Sequence, residues 1–406
     1  MNSPITIVGA GPAGMTAALF AARSGAKVRL MDSNPRVGRK LLVTGSGRAN
    51  LTNQNMDPGR FTCKDPEWIK TLLARFGHAE LVKFLETIGV LISPTPDGWC
   101  YPVSESAQTV VDAFTNALDL AGVELMLNTK VISIRNSPSG FTLALDSGVT
   151  LHCERLVVAA GGKACPVLGS RGELFASLKA MGHHVNPLAP ALAPVMCEMA
   201  PWKKLIGVRF DAHTSLYEGP NLLAETTGNL IFTSRGLNGP AVMDLSHFIS
   251  TRPGAKLELR LNPLFASESA LRSLIRDQRN TPTPLRVLLG AVLPPKIPPL
   301  LLIKSGLKID TLVNAVSDPQ IEKLFRLATA LPFPVTGVRG FEYCQASAGG
   351  VPVNEVDPLT LRSLLIPGLF LVGETLDVVG PCGGYNLQFA FSSGAIAGTE
   401  INSESL

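Results

Sequence analysis

The sequence predicts an α/β fold in which both ends of the chain contribute to one Rossmann-like parallel sheet. Near the N-terminus a buried strand, a glycine turn, a helix and a second strand follow one another within residues 5–32. A second buried strand, at 368–374, is again followed by glycines and a long helix. Between these segments, a proline-rich stretch at 187–194 marks a domain boundary. The first domain is therefore discontinuous, and the middle of the chain is inserted into it.

The composition indicates a globular protein of two or three domains. A chain of 406 residues exceeds what one hydrophobic core usually organises, and 46% hydrophobic with 17% charged residues does not indicate a protein dominated by membrane spans. The uncharged stretch 4–22 has no preceding cation and contains Gly9, Gly11, Pro12 and Gly14, which argues against a spanning helix and against a signal sequence. We therefore expect a cytoplasmic protein with no stable membrane association.

Cysteine and charge patterns narrow the ligand class. The seven cysteines form no CxxC pair and no cluster with metal-ligand spacing, so we expect reduced, mostly structural thiols and no metal. The net charge of +4 is too small to indicate nucleic-acid binding by itself. Residues 1–64, however, contain nine Lys and Arg residues against only Asp32 and Asp57. This local excess of positive charge fits a phosphate-rich ligand.

The elements of the first domain follow from residue patterning. Ile5–Val8 is a continuous apolar run, as expected for a strand that is covered on both faces, and the next strand is predicted at Lys27–Met31. The helix between them begins at Ala13 and ends near Gly25, where a left-handed cap is natural.

Later segments extend this pattern and then change it. Apolar spacing over 67–89 predicts two amphipathic helices divided at Gly77, and a further helix is expected over 106–121. Alternating residues and turns then predict a β-meander, whose buried last run at 156–160 returns to the parallel sheet. Beyond the boundary, strands of a second domain are predicted at 207–216, 228–233 and 256–261, and 264–331 is predicted to be mostly helical.

The first glycine turn has the spacing of a dinucleotide site. Gly9, Gly11 and Gly14 form GxGxxG directly between a strand and a helix. Gly9 permits the turn, Gly11 lets the backbone approach a pyrophosphate, and Gly14 lets helix and strand pack closely. Asp32, at the end of the second strand, can accept a hydrogen bond from a ribose 2′-hydroxyl and disfavours a 2′-phosphate. The motif therefore predicts FAD or NAD rather than NADP.

The C-terminal segment favours a flavin. Glu374 follows a strand directly, and Gly383 and Gly384 precede a helix that starts near Tyr385. This order can set Glu374 near a ribityl-pyrophosphate region and direct the helix N-terminus to the pyrimidine end of a flavin, where negative charge develops on reduction. A plain core strand followed by a buried helix is the alternative.

Six ordered motifs carry a family resemblance. They are IVGAGPAGMTAALFAA, GRKLLVTGSGRANLTN, LVVAAGGKACPVLGSRGE, LIFTSRGLNGPAVMDLS, ASAGGVPVNEV and LFLVGETLDVVGPCGGYNLQFAFSSG. Together they resemble the BaiN/RdsA-type flavoproteins, also called aminoacetone-oxidase-like. The resemblance implies a discontinuous FAD-binding domain at 1–188 and 337–406, a β-barrel-like insertion at 189–263 and about 332–345, and a small helical subdomain at 264–331.

The resemblance also implies which residues bind FAD. The loop at 38–53 is expected to lie across the cofactor, with its cations and amides neutralising the pyrophosphate; a solvated basic loop is the alternative. The expected cofactor-binding residues are Gly9, Gly11, Pro12, Ala13, Gly14, Asp32, Ser33, Arg39, Lys40, Ser46, Gly47, Arg48, Asn50, Val131, Ala160, Gly161, Gly162, Gly373, Glu374, Gly384, Tyr385, Asn386 and Leu387.

The catalytic residue is left unknown by the sequence. Where many members of the resembled family read Arg-Cys-Asn, this chain has Arg48, Ala49 and Asn50, so a cysteine at this position is absent. Cys382, Tyr385 and Tyr101 are weak candidates for a proton donor, because they lie in or beside the matched motifs.

The resemblance implies a reductase. It predicts an FAD-dependent oxidoreductase that transfers hydride to an activated carbon–carbon double bond, in an enone-like small molecule or in uridine of ribosomal RNA. The alternatives are a flavin amine oxidase that releases peroxide and a noncatalytic flavin-binding, ribosome-associated factor. No second GxGxxG unit is found, so NADH or NADPH binds transiently or electrons come from a separate donor. The oligomeric state, monomer or dimer, is left open.

Overall fold

The computed structural model describes residues 4–402. Within it the chain divides into two compact units. The first unit runs to Ala191 and resumes at Phe341, and the second comprises Leu192–Gly340. The polypeptide therefore leaves the first unit once and returns to it once.

The first unit contains strands and helices from both ends of the chain. Its strands are β1 (Ile5–Val8), β2 (Val28–Met31), β3 (Thr52–Asn53), β4 (Ile92–Pro94), β5 (Trp99–Pro102), β6 (Glu124–Met126), β7 (Val131–Ser137), β8 (Gly140–Leu145), β9 (Thr150–Cys153), β10 (Leu156–Val158), β11 (Asn186–Ala191), β18 (Ala346–Gly350) and β19 (Leu369–Leu371). Its helices are α1 (Pro12–Arg23), α2 (Pro66–Arg75), α3 (His78–Thr87), α4 (Ala107–Leu120), α5 (Phe175–Ala180) and α12 (Tyr385–Glu400).

A five-stranded parallel sheet forms the centre of this unit. Its strand order is β19-β10-β1-β2-β6, so a C-terminal strand completes a sheet begun at the N-terminus. The strands β1, β10 and β19 are buried throughout, which explains their uninterrupted apolar sequences. The predicted α/β fold class with a Rossmann-type sheet is confirmed.

Helices α1 and α12 pack closely because small residues lie between them. A Cβ at Gly394 would lie 2.2 Å from the carbonyl oxygen of Ala13, and one at Gly398 would lie 2.4 Å from that of Ala17. The N-terminal and C-terminal nucleotide-binding segments are thereby held side by side in one core.

Smaller antiparallel sheets surround the central one. The meander forms the sheet β7-β8-β9, and β3-β5-β4 and β11-β18 form two others. Helices α2 and α3 occur where the apolar spacing predicts them, and Gly77 between them caps the N-terminus of α3. The strand that follows the meander and returns to the parallel sheet, β10, ends at Val158, two residues earlier than the predicted run.

The second unit is built on a closed antiparallel barrel. The barrel has the order β12-β15-β14-β13-β16-β17. Its strands are β12 (Val195–Cys197), β13 (Arg209–Glu218), β14 (Asn221–Thr233), β15 (Gly236–Asn238), β16 (Leu257–Asn262) and β17 (Leu331–Val338). The helices of this unit are α6 (Pro240–Met243), α7 (Ser246–Ser250), α8 (Glu268–Asp277), α9 (Leu285–Leu289), α10 (Ile297–Ser305) and α11 (Asp318–Ala328).

The helices at 264–331 share their core with the barrel. Phe325 of α11 and Leu301 of α10 belong to the same buried cluster as Phe333 and Leu259 of the barrel strands. The helical segment is therefore packed into the barrel's unit. Within residues 4–402, no helix combines the length and apolar character that crossing a membrane requires.

Candidate cofactor site

The glycine turn after β1 is packed as the GxGxxG motif requires. Gly9 has a φ of +107°, and a Cβ there would lie 2.3 Å from the carbonyl oxygen of Ala159. A Cβ at Gly14 would lie 1.8 Å from the carbonyl oxygen of Gly9. Both positions therefore exclude a side chain, because the turn, helix α1 and strand β10 approach one another closely.

Gly11 is glycine for a different reason. It has an ordinary φ of −79°, and a Cβ built there would have no atom within 4 Å. Gly11 is also the residue that caps the N-terminus of α1. Open space beside a helix N-terminus, where backbone N–H groups lack intrahelical partners, is suited to a pyrophosphate.

Asp32 is held by the turn that it faces. Its Oδ2 accepts a hydrogen bond from the Ala10 N–H at 2.7 Å, and its Oδ1 accepts from the Asn34 N–H and Nδ2, each at 2.8 Å. The Asn34 Oδ1 in turn accepts from Arg39 Nη1 at 2.6 Å. Because a carboxylate offers about four lone-pair sites, these contacts fix its orientation and leave capacity for a ribose hydroxyl.

The loop at 38–53 is folded into tight turns. Its Leu41 and Ala49 side chains are fully buried. Ser46 and Ala49 adopt left-handed φ values of 59° and 61°, which non-glycine residues rarely do. The glycines and small residues of this loop therefore allow one specific backbone conformation, with Gly47 and the exposed Ser46 at the tip of the loop.

Lys40 joins this loop to the C-terminal segment. Its Nζ lies 2.6 Å from Glu374 Oε2, and the Glu374 Oε1 accepts from the Ser347 N–H at 2.8 Å. A Cβ at Gly373 would lie 3.0 Å from that of Ala13. The glycine turn, the loop and the segment after β19 thus meet, although more than 300 residues separate them in the sequence.

Asn50 supplies an acceptor without a partner. The residue is 8% exposed, and within the described residues its Oδ1 is buried without a hydrogen-bond partner. A buried, unpaired amide oxygen costs about 1–3 kcal/mol. Such an atom in the loop that Lys40 joins to Glu374 indicates a ligand that donates a hydrogen bond to it.

Arg48 and Tyr101 stack beside Asn50. The Arg48 guanidinium lies 4.4 Å from the centroid of the Tyr101 ring. Burial raises the pKa of the Tyr101 phenol, and the Arg48 charge opposes that shift. A cation held over the ring in this way keeps the loop closed on strand β5.

The N-terminus of α12 rests on strand β3. Asn53 Nδ2 donates to the Gly383 carbonyl oxygen at 3.0 Å. A Cβ at Gly384 would lie 2.3 Å from the Thr52 carbonyl oxygen. The first-turn N–H groups of α12, from Tyr385 to Leu387, lie in the part of a helix that has no intrahelical acceptor. This end of the helix can therefore face a group that carries negative charge.

Two side chains of this segment are used to hold it together. Asn386 Oδ1 accepts from the Gly380 N–H at 2.9 Å, and its Nδ2 donates to the Gly380 carbonyl oxygen at 2.7 Å. Tyr385 is fully buried, and its hydroxyl donates to the Asn55 carbonyl oxygen at 3.0 Å. The Tyr385 phenol thus anchors the 55–60 segment, and its role as a proton donor stays a prediction. Cys382, beside it, is half-buried.

The segment after β10 packs against β18. A Cβ at Gly162 would lie 1.8 Å from Ser347 Oγ, and one at Gly161 would lie 2.9 Å from Ser170 Oγ. The hydroxyl of Ser170 donates to the carbonyl oxygens of both Ala160 and Gly162. These two hydrogen bonds fix the backbone of residues 160–162 beside Glu374.

The two remaining predicted positions lie at the end of β2. Ser33 is exposed there, next to Asp32, and Val131 begins strand β7 with its side chain buried. Thr129, two residues before Val131, donates its N–H to the Asp32 carbonyl oxygen at 2.8 Å. The start of β7 therefore lies beside the second strand of the sheet.

Three residues that organise this site were not predicted. They are Asn34, Ser170 and Ser347. Asn34 had a local indication, because an Asn two residues after an Asp commonly closes a turn with it. Ser347 had none: its partner Glu374 lies 27 residues away and is brought to it only by the fold.

These features define an FAD-binding oxidoreductase with a Rossmann-type sheet and an inserted barrel. The chain belongs to the family described as HI0933-like protein Rossmann domain, which it matches over residues 3–400. This confirms the family, the fold class and the oxidoreductase class that the sequence predicts.

Two relatives match nearly the whole chain. It is 34% identical over 404 residues to the 3-dehydro-bile acid delta(4,6)-reductase of Clostridium scindens, covering 97% of this chain and 98% of the relative. It is 31% identical over 389 residues to the ribosomal RNA dihydrouridine synthase of Escherichia coli, covering 95% of each. Among solved structures, the 3-ketosteroid delta1-dehydrogenase of Sterolibacterium denitrificans shares the fold, with a TM-score of 0.53, 13% identity, and coverage of 98% of this chain and 99% of that chain.

Proposed function

We propose that this protein uses FAD to reduce a carbon–carbon double bond conjugated to a carbonyl group, in a small-molecule enone or in a uridine of ribosomal RNA. The two relatives that match the whole chain are named for a bile-acid reductase and a dihydrouridine synthase. Both names describe the same chemistry, since an unsaturated ketone and the uracil ring each conjugate the double bond to a carbonyl. In both cases hydride adds to the electron-poor carbon and a proton to its neighbour.

The observation that carries the proposal is the prepared site between the two ends of the chain. Gly11 leaves open space at a helix N-terminus. The buried Oδ1 of Asn50 has no hydrogen-bond partner within the described residues. The donor set therefore fits FAD. The turn at Gly9–Gly14 would hold the pyrophosphate and Asp32 the ribose, while Lys40 and Glu374 would border the ribityl chain. The α12 N-terminus would hold the flavin ring.

Bound FAD supplies a hydride donor at its reduced ring. The chain's own residues position it and adjust the charge around it. The α12 N-terminus stabilises negative charge, and the Arg48 guanidinium adds a fixed positive charge above Tyr101. Ala49 is fully buried and carries no ionisable group, so the proton cannot come from this position. Tyr101, of which 6% is exposed, stays a candidate for that role.

A two-step anaerobic experiment tests this function. The FAD-loaded protein is first titrated with NADH or NADPH, and bleaching of the flavin absorption identifies the electron donor. The reduced protein is then mixed with a conjugated steroid ketone or with unmodified ribosomal RNA. We expect one of these acceptors to restore the absorption and to gain two hydrogens, measured by mass spectrometry.

Other outcomes would contradict the proposal. In one such outcome, both acceptors leave the dithionite-reduced flavin bleached, an amine reduces the oxidised flavin, and oxygen then yields peroxide. The protein is then an amine oxidase. If no reductant or acceptor acts on the flavin, it is a noncatalytic binder. Asn50→Ala is the matched variant. We expect about tenfold weaker FAD binding, equivalent to one hydrogen bond of about 1.4 kcal/mol, and no loss of stability without FAD.

A further inference from the structure

Two cysteines meet beside the Lys40–Glu374 pair. The Cys165 thiol donates a hydrogen bond to the carbonyl oxygen of Cys344 at 3.3 Å. The carbonyl oxygen of Phe341 accepts from both of these residues, from the Cys165 N–H at 2.9 Å and from the Cys344 thiol at 3.4 Å. The Cys165 thiol and the Cys165 N–H therefore both contact the segment that carries Cys344, and these two contacts hold the two segments in register. The Cys344 thiol contacts the Phe341 carbonyl of its own segment, the same oxygen that accepts from the Cys165 N–H.

The electrostatic surroundings also join the two thiols. Burial raises the pKa of the Cys344 thiol to about 11, and the neighbouring charge of Glu374 raises it further while Lys40 lowers it. Ionisation of Cys165 raises the same pKa, so the two sulfur atoms act on each other. Cys344 is 1% exposed, whereas Cys165 is half-buried, so a reagent reaches Cys165 first.

The backbone at Cys165 is strained. Its φ of 50° and ψ of 66° are left-handed, a conformation that costs a non-glycine residue about 1–2 kcal/mol. Cys165 precedes the turn Pro166–Leu168, which fixes the direction of the chain after it. A residue held in such a conformation is retained where its side chain must point in one direction.

We propose that Cys165 and Cys344 are a reversible dithiol–disulfide pair. The Cys165 thiolate attacks a small-molecule disulfide, forms a mixed disulfide and releases one thiolate. The Cys344 thiolate then attacks the Cys165 sulfur, which forms the intramolecular disulfide and releases the second thiolate. Two cysteine thiols are oxidised, one small disulfide is reduced, and the two protons pass to the released thiolates.

The pair is connected to the cofactor site through Ser347. The Lys163 N–H donates to Ser347 Oγ at 3.0 Å, and Ser347 donates its own N–H to Glu374. The segment of Cys344 therefore carries Ser347, which holds Glu374, and the segment of Cys165 carries Lys163, which holds Ser347. Oxidation replaces both thiol hydrogen bonds with a covalent link at this point, so the redox state of the pair affects the position of Glu374 and with it Lys40.

Thiol counting on the FAD-loaded, full-length protein tests the proposal. The protein is equilibrated with oxidised glutathione, denatured, and labelled with an alkylating reagent. We expect two fewer labelled cysteines than the seven in the chain. We also expect a Cys165–Cys344 linked peptide by mass spectrometry, which disappears after treatment with dithiothreitol. The visible spectrum of the bound flavin, recorded before and after oxidation, reports whether the site changes with the link.

Matched variants separate this pair from general oxidation. Cys165→Ser removes the more exposed thiol, and we expect Cys344 to stay labelled in it. Cys63→Ser is the control, because Cys63 is also half-buried and its thiol also donates to a backbone oxygen, that of Asp65 at 3.1 Å. It should form the link as the wild type does. Seven labelled cysteines after oxidation, a glutathione adduct that remains on Cys165, or a link to another cysteine would overturn the proposal.

Discussion

We propose that Gly11 is glycine because a pyrophosphate binds beside it, whereas Gly9 and Gly14 must be glycine because of how the chain folds. Its φ of −79° suits any residue, and a Cβ would meet no atom within 4 Å. We therefore expect Gly11→Val to fold with the stability of the wild type and to bind FAD at least a hundredfold more weakly, since the side chain occupies the pyrophosphate position. Absorption of the purified protein and a titration with FAD measure this.

Gly9→Ala is the contrasting variant. A Cβ at Gly9 would lie 2.3 Å from the Ala159 carbonyl oxygen, and the φ of +107° is unfavourable for alanine. We expect it to lower the free energy of unfolding even without FAD. A Gly11→Val protein that unfolds as readily as Gly9→Ala would show that Gly11 has a structural role instead.

His247 gives the second unit a pH-dependent stability. Burial lowers the pKa of His247 to about 4, and the nearby Arg252 charge lowers it too, whereas an unfolded histidine titrates near pH 6.5. Between these values the unfolded chain binds a proton that the folded chain does not, so stability is complete above pH 6.5 and is lost as the pH falls towards 4. From pH 7.5 to 5.0 the loss is about 2 kcal/mol, at about 1.4 kcal/mol for each pH unit below 6.5.

Urea denaturation of the wild type and of His247→Gln at both pH values measures this contribution. Carboxylates titrate equally in both proteins, so the difference between the two pH dependences isolates the histidine. We expect the variant to be less stable at pH 7.5 and to lose less stability on acidification. A stability difference between the two proteins that does not change with pH would contradict the assignment.

Among the elements, α5 is followed by a histidine whose side chain connects it to the C-terminal segment. His183, just after α5, contacts Glu355 Oε2 through Nδ1 at 2.7 Å and Ser363 Oγ through Nε2 at 2.9 Å. Its side chain is fully buried. His183→Ala removes both contacts and leaves a cavity, so we expect a loss of about 3 kcal/mol in the free energy of unfolding. His184→Ala, one residue on and exposed, is the control and should cost less than about 0.5 kcal/mol.

The contacts of His183 also show which features of the structure a local sequence pattern does not predict. A histidine just after a helix that ends at a glycine is typical of a C-terminal cap. The His183 imidazole instead contacts residues that lie 172 and 180 positions later. Helices α2 and α3 and the buried strands could be predicted, because apolar spacing and glycine positions are local. The Lys40–Glu374 contact spans 334 positions, and no local pattern encodes it.

The role of Tyr385 could not be predicted for the same reason. It lies in a glycine-rich motif beside the expected flavin site, which made its phenol a candidate for catalysis. Its hydroxyl instead contacts Asn55, 330 positions earlier. The glycine motif itself could be interpreted from sequence, because the turn, the helix N-terminus and Asp32 lie within one βαβ unit.

At the scale of the whole molecule, part of the positive charge of the basic N-terminal segment is engaged in internal contacts. Arg29 pairs with Glu124 at 3.0 Å, Lys40 pairs with Glu374 and Arg39 binds Asn34. Arg36, Arg48, Arg60 and Lys64 are exposed. The excess charge that suggested a phosphate-rich ligand therefore serves the fold and the cofactor site first, and fewer cations are left to contact RNA phosphates than the composition indicates.

The two units have separate hydrophobic cores, and only the first contains the cofactor site. The cluster around the parallel sheet includes Ile7, Leu156 and Ile396, whereas the barrel cluster includes Phe232 and Phe333. FAD binds the folded first unit and not its unfolded chain, so free FAD at a hundred times its Kd adds about 2.7 kcal/mol to that unit alone. We expect differential scanning calorimetry to show two transitions, of which FAD raises one. In Gly11→Val neither transition should move with FAD. A single transition, or an equal shift of both, would show that the two units unfold together.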